Sequence, residues 1–123
     1  IFMDIDFFKK INDTYGHSAG DAVLVQLAKI LKDNVRDTDY VSRWGGEEFL
    51  IVVSGLDSDS AFILAEKLRL KIANEEFVTN EQVTISCGVA QYKRGEVASD
   101  FIARADSALY EAKKSGRNRV IKN

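Results

Sequence analysis

The chain has 123 residues, 46% of them hydrophobic and 29% charged, with a formal net charge of −2, no proline and one cysteine. That length and apolar content suit one soluble core, and the slight acidity argues against a general nucleic-acid binder, which needs a basic patch. The longest strongly apolar run, Phe49 to Val53, has five residues and is far too short to span a bilayer.

Ile1 to Ile5 is an apolar run broken only by Asp4 and reads as a buried strand. Phe7 to Tyr15 reads as a short helix closing at Gly16. From Ala22 to Val35, the residues Leu24, Leu27, Ala28, Leu31 and Val35 share one helical face, with Asp21 as the expected N-cap. Tyr40 to Trp44 and Glu47 to Ser54 read as two strands. Gly45-Gly46 between them suits a tight hairpin of the primed type, which needs positive φ. Ala61, Leu64, Ala65, Leu68 and Ile72 mark a further amphipathic helix, capped near Asp57 or Ser58. Val83, Ile85, Cys87 and Val89 alternate with Thr84, Ser86 and Gly88 at the strand period of two. Phe101, Ala105, Ala108 and Ala112 form the last helical face. That helix is expected to begin at Ser99 or Asp100 and to stop at Gly116, after Lys113 and Lys114. Arg119 to Ile121 is a short final strand. The order β-α-α-β-β-α-β-α-β predicts an α/β (α+β) sandwich around a mostly antiparallel sheet flanked by helices.

Two acidic clusters carry the chemistry. Asp4 and Asp6 fall where the first strand ends, and Glu47 and Glu48 follow the Gly-Gly turn. If those strands are neighbours, three or four carboxylates meet at one sheet edge, where their repulsion calls for a hard divalent cation. A carboxylate-held Mg²⁺ suits phosphoryl or nucleotidyl transfer. Read alone, the same residues could be solvated strand ends and a hairpin tip. Cys87 has no partner for an intrachain disulfide, which fits a reducing compartment.

Five segments then follow one another in order. They are Asp4-Ile5-Asp6-Phe7-Phe8-Lys9-Lys10-Ile11-Asn12-Asp13, with Gly16-His17 and Gly20-Asp21 behind it; Arg43-Trp44-Gly45-Gly46-Glu47-Glu48-Phe49; Thr84 to Val89; Ala105 to Lys113; and Gly116-Arg117-Asn118. Together they resemble the GGDEF family of diguanylate cyclases, here with a Gly-Gly-Glu-Glu-Phe signature, along essentially the whole chain. The resemblance implies a palm-like nucleotidyl cyclase fold that condenses two GTP into cyclic di-GMP with release of pyrophosphate.

It further implies that Asp4, Glu47 and the backbone carbonyl of Ile5 bind Mg²⁺ or Mn²⁺, two ions per active site, with Glu48 helping the second. Glu47 falls at the position of the base for the ribose 3′-hydroxyl. Asn12, His17 and Asp21 match substrate positions, Asn12 and Asp21 at the guanine. A carboxylate at Asp21 can accept from guanine N1–H and its exocyclic amine together, a pair that adenine lacks. Lys9, Lys113 and Arg117 match positions that hold the triphosphate, with backbone N–H groups near Phe7 and Phe8 adding donors. Phe8 packs near the base or in the core.

Arg36 and Asp39, nine residues and six residues before Gly45, match the Arg-x-x-Asp of an inhibitory product site, with Lys67 standing where a companion arginine often comes from the next helix. Lysine lacks arginine's planar fork; a plain capping salt bridge is the alternative for Arg36–Asp39. The chain opens inside an apolar stretch without an initiator Met, so residues 1–123 are expected to be one N-terminally truncated catalytic domain. Expected partners are GTP, cyclic di-GMP, a second copy of the chain for catalysis and a fused N-terminal sensory or regulatory module, but no nucleic acid. The expected location is the cytoplasm, alone or as the cytoplasmic part of a larger membrane-bound protein. A cyclic di-GMP receptor without turnover is the competing function, and Asp21 disfavours a cyclase of other nucleotide preference.

Overall fold

Period-two alternation in the first strand organises the computed structural model, which describes residues 1–123. In chain order the elements are β1 (Phe2–Ile5), α1 (Phe8–Tyr15), α2 (His17–Asp33), β2 (Tyr40–Arg43), β3 (Glu48–Val52), α3 (Ser58–Ala73), β4 (Ile85–Val89), α4 (Ala98–Lys114) and β5 (Val120–Lys122). The five strands form one sheet in the order β2-β3-β1-β4-β5. Three of its pairings are antiparallel and β4–β5 is parallel. The predicted order of elements and the α+β class both match this arrangement. No helix is long and apolar enough to cross a membrane.

Successive strand residues point to opposite faces. Ile1, Met3 and Ile5 join Phe49, Ile51, Ile85, Cys87 and Val89 under the apolar stripes of α2 (Val23, Leu24, Leu27, Leu31) and α3 (Ala61, Ala65, Leu68, Ile72). On the other face Phe2 packs with Ala90 and with Ala105 and Leu109 of α4. The alternation in β4 therefore marks two packed faces rather than one wet face, and all five of its residues are buried. Gly88 explains how α4 comes so close. A Cβ there would lie 2.0 Å from the Ala105 carbonyl oxygen and 2.3 Å from the Leu109 nitrogen, both rigid backbone.

Three local expectations are corrected. Helix α2 starts at His17, not after Asp21. Gly16, at φ +90° and ψ 162°, turns the chain directly out of α1, and no side chain caps the new helix. Asp21 thus lies one turn inside α2 and is exposed. Gly45 and Gly46 make no primed turn, since neither has positive φ. The link spans Trp44 to Glu47, closed by Trp44 N–H donating to the Glu48 carbonyl at 2.8 Å. Helix α4 begins at Ala98 with Val97 at its cap and no capping side chain. Asp57 does cap α3, accepting from Ser60 N–H at 2.8 Å.

Substituting Gly88→Ala forces α4 away from the sheet, because backbone cannot yield as a side chain can. The expected loss is about 3 kcal/mol of stability, read from the midpoint of urea unfolding.

Candidate active site

The end of β1, the Gly-Gly link and the C-terminal end of α4 meet at one corner. Asp4 pairs with Glu48 in register across β1–β3, and Ile5 N–H donates to the Glu47 carbonyl at 3.2 Å. Lys113, in the last turn of α4, donates from Nζ to Asp4 Oδ2 at 2.6 Å. Asp4 is only 6% exposed. Burial raises its carboxyl above the usual carboxylate range, and the Lys113 contact offsets only part of that. Glu47 is also raised, by burial first and then by the neighbouring Asp4 charge. Asp4 and Glu47 are therefore two carboxylates that resist being charged together.

Glu48 leans the other way. Its Oε1 would stand 2.9 Å from a Cβ placed on Gly45, so this side chain folds back over the link. Arg43 grips the same link, donating to the carbonyls of Gly45 and Gly46. Asp6 does not join the acidic cluster. It is 5% exposed and accepts from Ser86 Oγ at 2.6 Å, Thr84 Oγ1 at 2.8 Å and Asn118 N–H at 3.0 Å. Of the three or four carboxylates expected to meet, Asp4, Glu47 and Glu48 do so, while Asp6 is engaged by its own donors although its charge still bears on Asp4.

A second group forms between α1 and α2. Buried Asn12 Oδ1 has no hydrogen-bond partner. It presses on Gly20, whose added Cβ would sit 1.8 Å from that oxygen and 3.3 Å from the Phe8 ring. Phe8 also packs against the main core. His17 and Asp21 are exposed one turn apart on α2. No side chain caps α1, which leaves its first-turn N–H groups for a ligand or solvent. Lys9 stands out on that helix, its side chain 93% exposed and its Nζ 3.8 Å from Asp13. The Arg117 guanidinium lies 4.8 Å over the Phe7 ring.

Comparison with known proteins gives this geometry a family. The family model described as "Diguanylate cyclase, GGDEF domain" matches residues 1–119. The chain belongs to the GGDEF family. It is 45% identical to diguanylate cyclase A of Treponema denticola and 44% identical to diguanylate cyclase DgcM of Escherichia coli K12, in each case over 98% of this chain but only 33% and 30% of the relative. It therefore spans about a third of the curated relatives it matches. Among solved structures, the active GGEEF domain of a diguanylate cyclase from Vibrio cholerae superposes with a TM-score of 0.92 at 41% identity, covering 98% of this chain and 79% of that one. The GGDEF domain of DgcB from Caulobacter crescentus, in complex with c-di-GMP, superposes at 0.93 and 35% identity, covering 98% and 74%.

In this GGDEF domain, Arg36 and Asp39 engage each other at the open end of the β2–β3 hairpin, opposite the Gly-Gly link. Asp39 accepts from Arg36 N–H at 2.9 Å and from its guanidinium at 3.1 and 3.3 Å, and the same guanidinium reaches the Ser54 carbonyl. The Asp39 side chain is 1% exposed, that of Arg36 54%. Lys67 is exposed on α3 and makes no ion pair. Two structural roles were not legible in the sequence, those of Arg43 at the link and of Asp6 beneath the Asn118 loop. The signal for Arg43 is an arginine two residues ahead of a glycine pair, and that for the structural role of Asp6 is the hydroxyls of Thr84 and Ser86 on the polar phase of a strand.

Burial alone would raise the Asp39 carboxyl, but the Arg36 hydrogen bonds outweigh it and hold it below the usual range. A depressed folded value means the pair stabilises above the unfolded value of about 3.9 and loses that contribution as pH falls through the folded one. In urea unfolding from pH 7 to 3, the stability gap between the wild type and Asp39→Asn should therefore close below about pH 4.

Proposed function

We propose that this domain condenses two molecules of GTP into cyclic di-GMP, each 3′-oxygen attacking the α-phosphate of the other nucleotide and releasing pyrophosphate. The observation that carries the reading is the juxtaposition of Asp4 and Glu47 with Lys113 and Arg117 at one corner: acidic groups for metal and hydroxyl beside cations for phosphate. Likeness to the active GGEEF domain from Vibrio cholerae supports it.

The acidic pair suits a hard dication. Both carboxyls are raised by burial, and Glu47 by Asp4 as well, which is the repulsion a dication relieves. No three His, Cys, Asp or Glu side chains close into a ready cage, so water and phosphate oxygens complete the shell, as is usual for Mg²⁺. Asp4, Glu47 and the Ile5 carbonyl would hold Mg²⁺ or Mn²⁺, with Glu48 contributing to a second ion. Bound there, the metal neutralises phosphate charge and eases formation of the attacking alkoxide.

The protein's own groups do the rest. Glu47, whose affinity for a proton is raised, is placed to take the 3′-hydroxyl proton. Lys113 is held by Asp4 and, in this reading, turns to the triphosphate when GTP arrives; Lys9, Arg117 and the open N–H groups of α1 join it. The unpaired Asn12 oxygen accepts from the guanine, and Asp21 takes its N1–H and amine, with His17 beside them. Two copies of the domain face each other so that each nucleotide meets the other's α-phosphate, under the control of a fused regulatory module in the cytoplasm. Arg36, Asp39 and Lys67 form a product site for feedback. Arg36 would exchange the Ser54 carbonyl for a phosphate or guanine edge while Asp39 keeps it in place.

Incubation with GTP and Mg²⁺, with products separated by chromatography, should yield cyclic di-GMP. Glu47→Ala should lower the rate at least about a hundredfold, and Asp21→Ala should narrow the preference for GTP over ATP. No product from the wild type, together with cyclic di-GMP binding that Arg36→Ala abolishes, would replace the enzyme by a receptor.

A further inference from the structure

We infer that Asp6 is a positioning residue for nucleotide binding, fixing the pose of Arg117 through the backbone of Asn118. The inference rests on the proposed role of Arg117 at the triphosphate. After α4 the chain passes through Gly116, Arg117 and Asn118 at φ +129°, +62° and +45°. Two consecutive non-glycine residues in the left-handed region are strained, by about 1–3 kcal/mol each, and persist only where their surroundings hold them.

Several anchors hold this loop, among them Arg119 Nε, which donates to the Arg117 carbonyl at 3.0 Å. Arg117 N–H closes back on the Ala112 carbonyl at 2.9 Å. Arg69 of α3, itself gripped by Glu66 at 2.7 and 2.9 Å, donates to Asn118 Oδ1 at 2.9 Å. Asp6 accepts the Asn118 N–H at 3.0 Å. Only the last ties the loop to the end of β1, one residue before Phe7. Phe7 is also left-handed, at φ +55°, and its ring lies under the Arg117 guanidinium. Asp6 thereby sets where Arg117 stands relative to the open end of α1.

The hydroxyls of Thr84 and Ser86 leave Asp6 no freedom to turn, since Oδ2 is shared by Thr84 and Asn118 while Oδ1 takes Ser86. This is a geometric role, and it separates from a metal-ligand role by one substitution. In Asp6→Asn the amide oxygen can keep the Asn118 N–H while the NH₂ turns to the Ser86 hydroxyl, which can accept. Asp6→Ala leaves Asn118 N–H and both hydroxyls without their acceptor.

The test uses 3′-deoxy-GTP, which has the triphosphate but no nucleophile, and guanosine, which has no phosphate, as binding probes with Mg²⁺. Asp6→Ala should weaken 3′-deoxy-GTP about tenfold, as Arg117→Ala does, with little change for guanosine. Asp6→Asn should recover most of the affinity, and in the Arg117→Ala background Asp6→Ala should cost nothing further. If Asp6→Ala does not fold, Thr84→Val supplies the arm: a few-fold loss that likewise disappears with Arg117→Ala. Losses that add, Asp6→Asn as poor as Asp6→Ala, equal loss for guanosine, or no effect of Arg117→Ala would each overturn the inference. Wild type that binds 3′-deoxy-GTP in this pattern yet makes no cyclic di-GMP would sink the cyclase reading and leave the positioning role standing.

Discussion

Alternation along β1 is the constraint from which the rest of the molecule follows. Its odd residues must be apolar, because Met3 and Ile5 lie in the core beneath α2 and α3. Its even residues face α4, where Phe2 meets Leu109. Asp4 and Asp6 follow on that same side, and both are buried. A strand in the middle of the sheet thus delivers two carboxylates to the corner where the C-terminal end of α4 and the segment after it meet β1, without interrupting the core on its other face. The price is burial of two acidic groups, and each is met differently. Asp6 is satisfied by three hydrogen bonds, whereas Asp4 has the single ammonium of Lys113.

That difference in satisfaction separates structure from chemistry. A carboxylate held by hydroxyls and a backbone N–H is fixed at its place in the fold. One held by a lysine at the end of a helix can exchange that partner for another cation, because the lysine stem rotates while the strand does not. Arg117 shows the complementary arrangement: its guanidinium rests on an aromatic face rather than on a carboxylate, so its donors are not consumed. Arg36 lies between these cases, paired with Asp39 yet more than half exposed.

Most of the fold was legible because it is written in periodicity, and periodicity survives without knowledge of contacts. The stripes Leu24–Leu27–Leu31 and Ala61–Ala65–Leu68–Ile72 and the order of all nine elements could be read directly. What could not be read were termini whose geometry comes from backbone rather than side chains. Asp21 has the chemistry of a cap, but Gly16 at φ +90° reverses the chain four residues before His17's turn is complete, so α2 starts without one. Gly45 and Gly46 looked like turn formers, yet they leave room for Glu48 and for open space above the link. For the candidate site, the sequence brings Asp4 to Glu47 only on the condition that their strands are neighbours, and spacing alone could not tell Asp4 from Asp6. Both are acidic residues on one phase of one strand, and only the partners across β4 and beyond α4 distinguish them.

Asn12 carries the remaining argument about what the fold tolerates. A buried acceptor without a partner costs about 1–3 kcal/mol, and a helix could avoid it by turning the side chain outward. Here Gly20 of α2 lies directly against it, where any Cβ would collide with the oxygen at 1.8 Å. The contact between α1 and α2 therefore keeps Asn12 in place with its acceptor unsatisfied. Phe8 closes the same spot from one turn earlier in α1, giving an apolar wall beside a single unused acceptor. The unsatisfied oxygen is the counterpart of Lys113: one is an acceptor without a donor, the other a donor held at 2.6 Å by a single carboxylate.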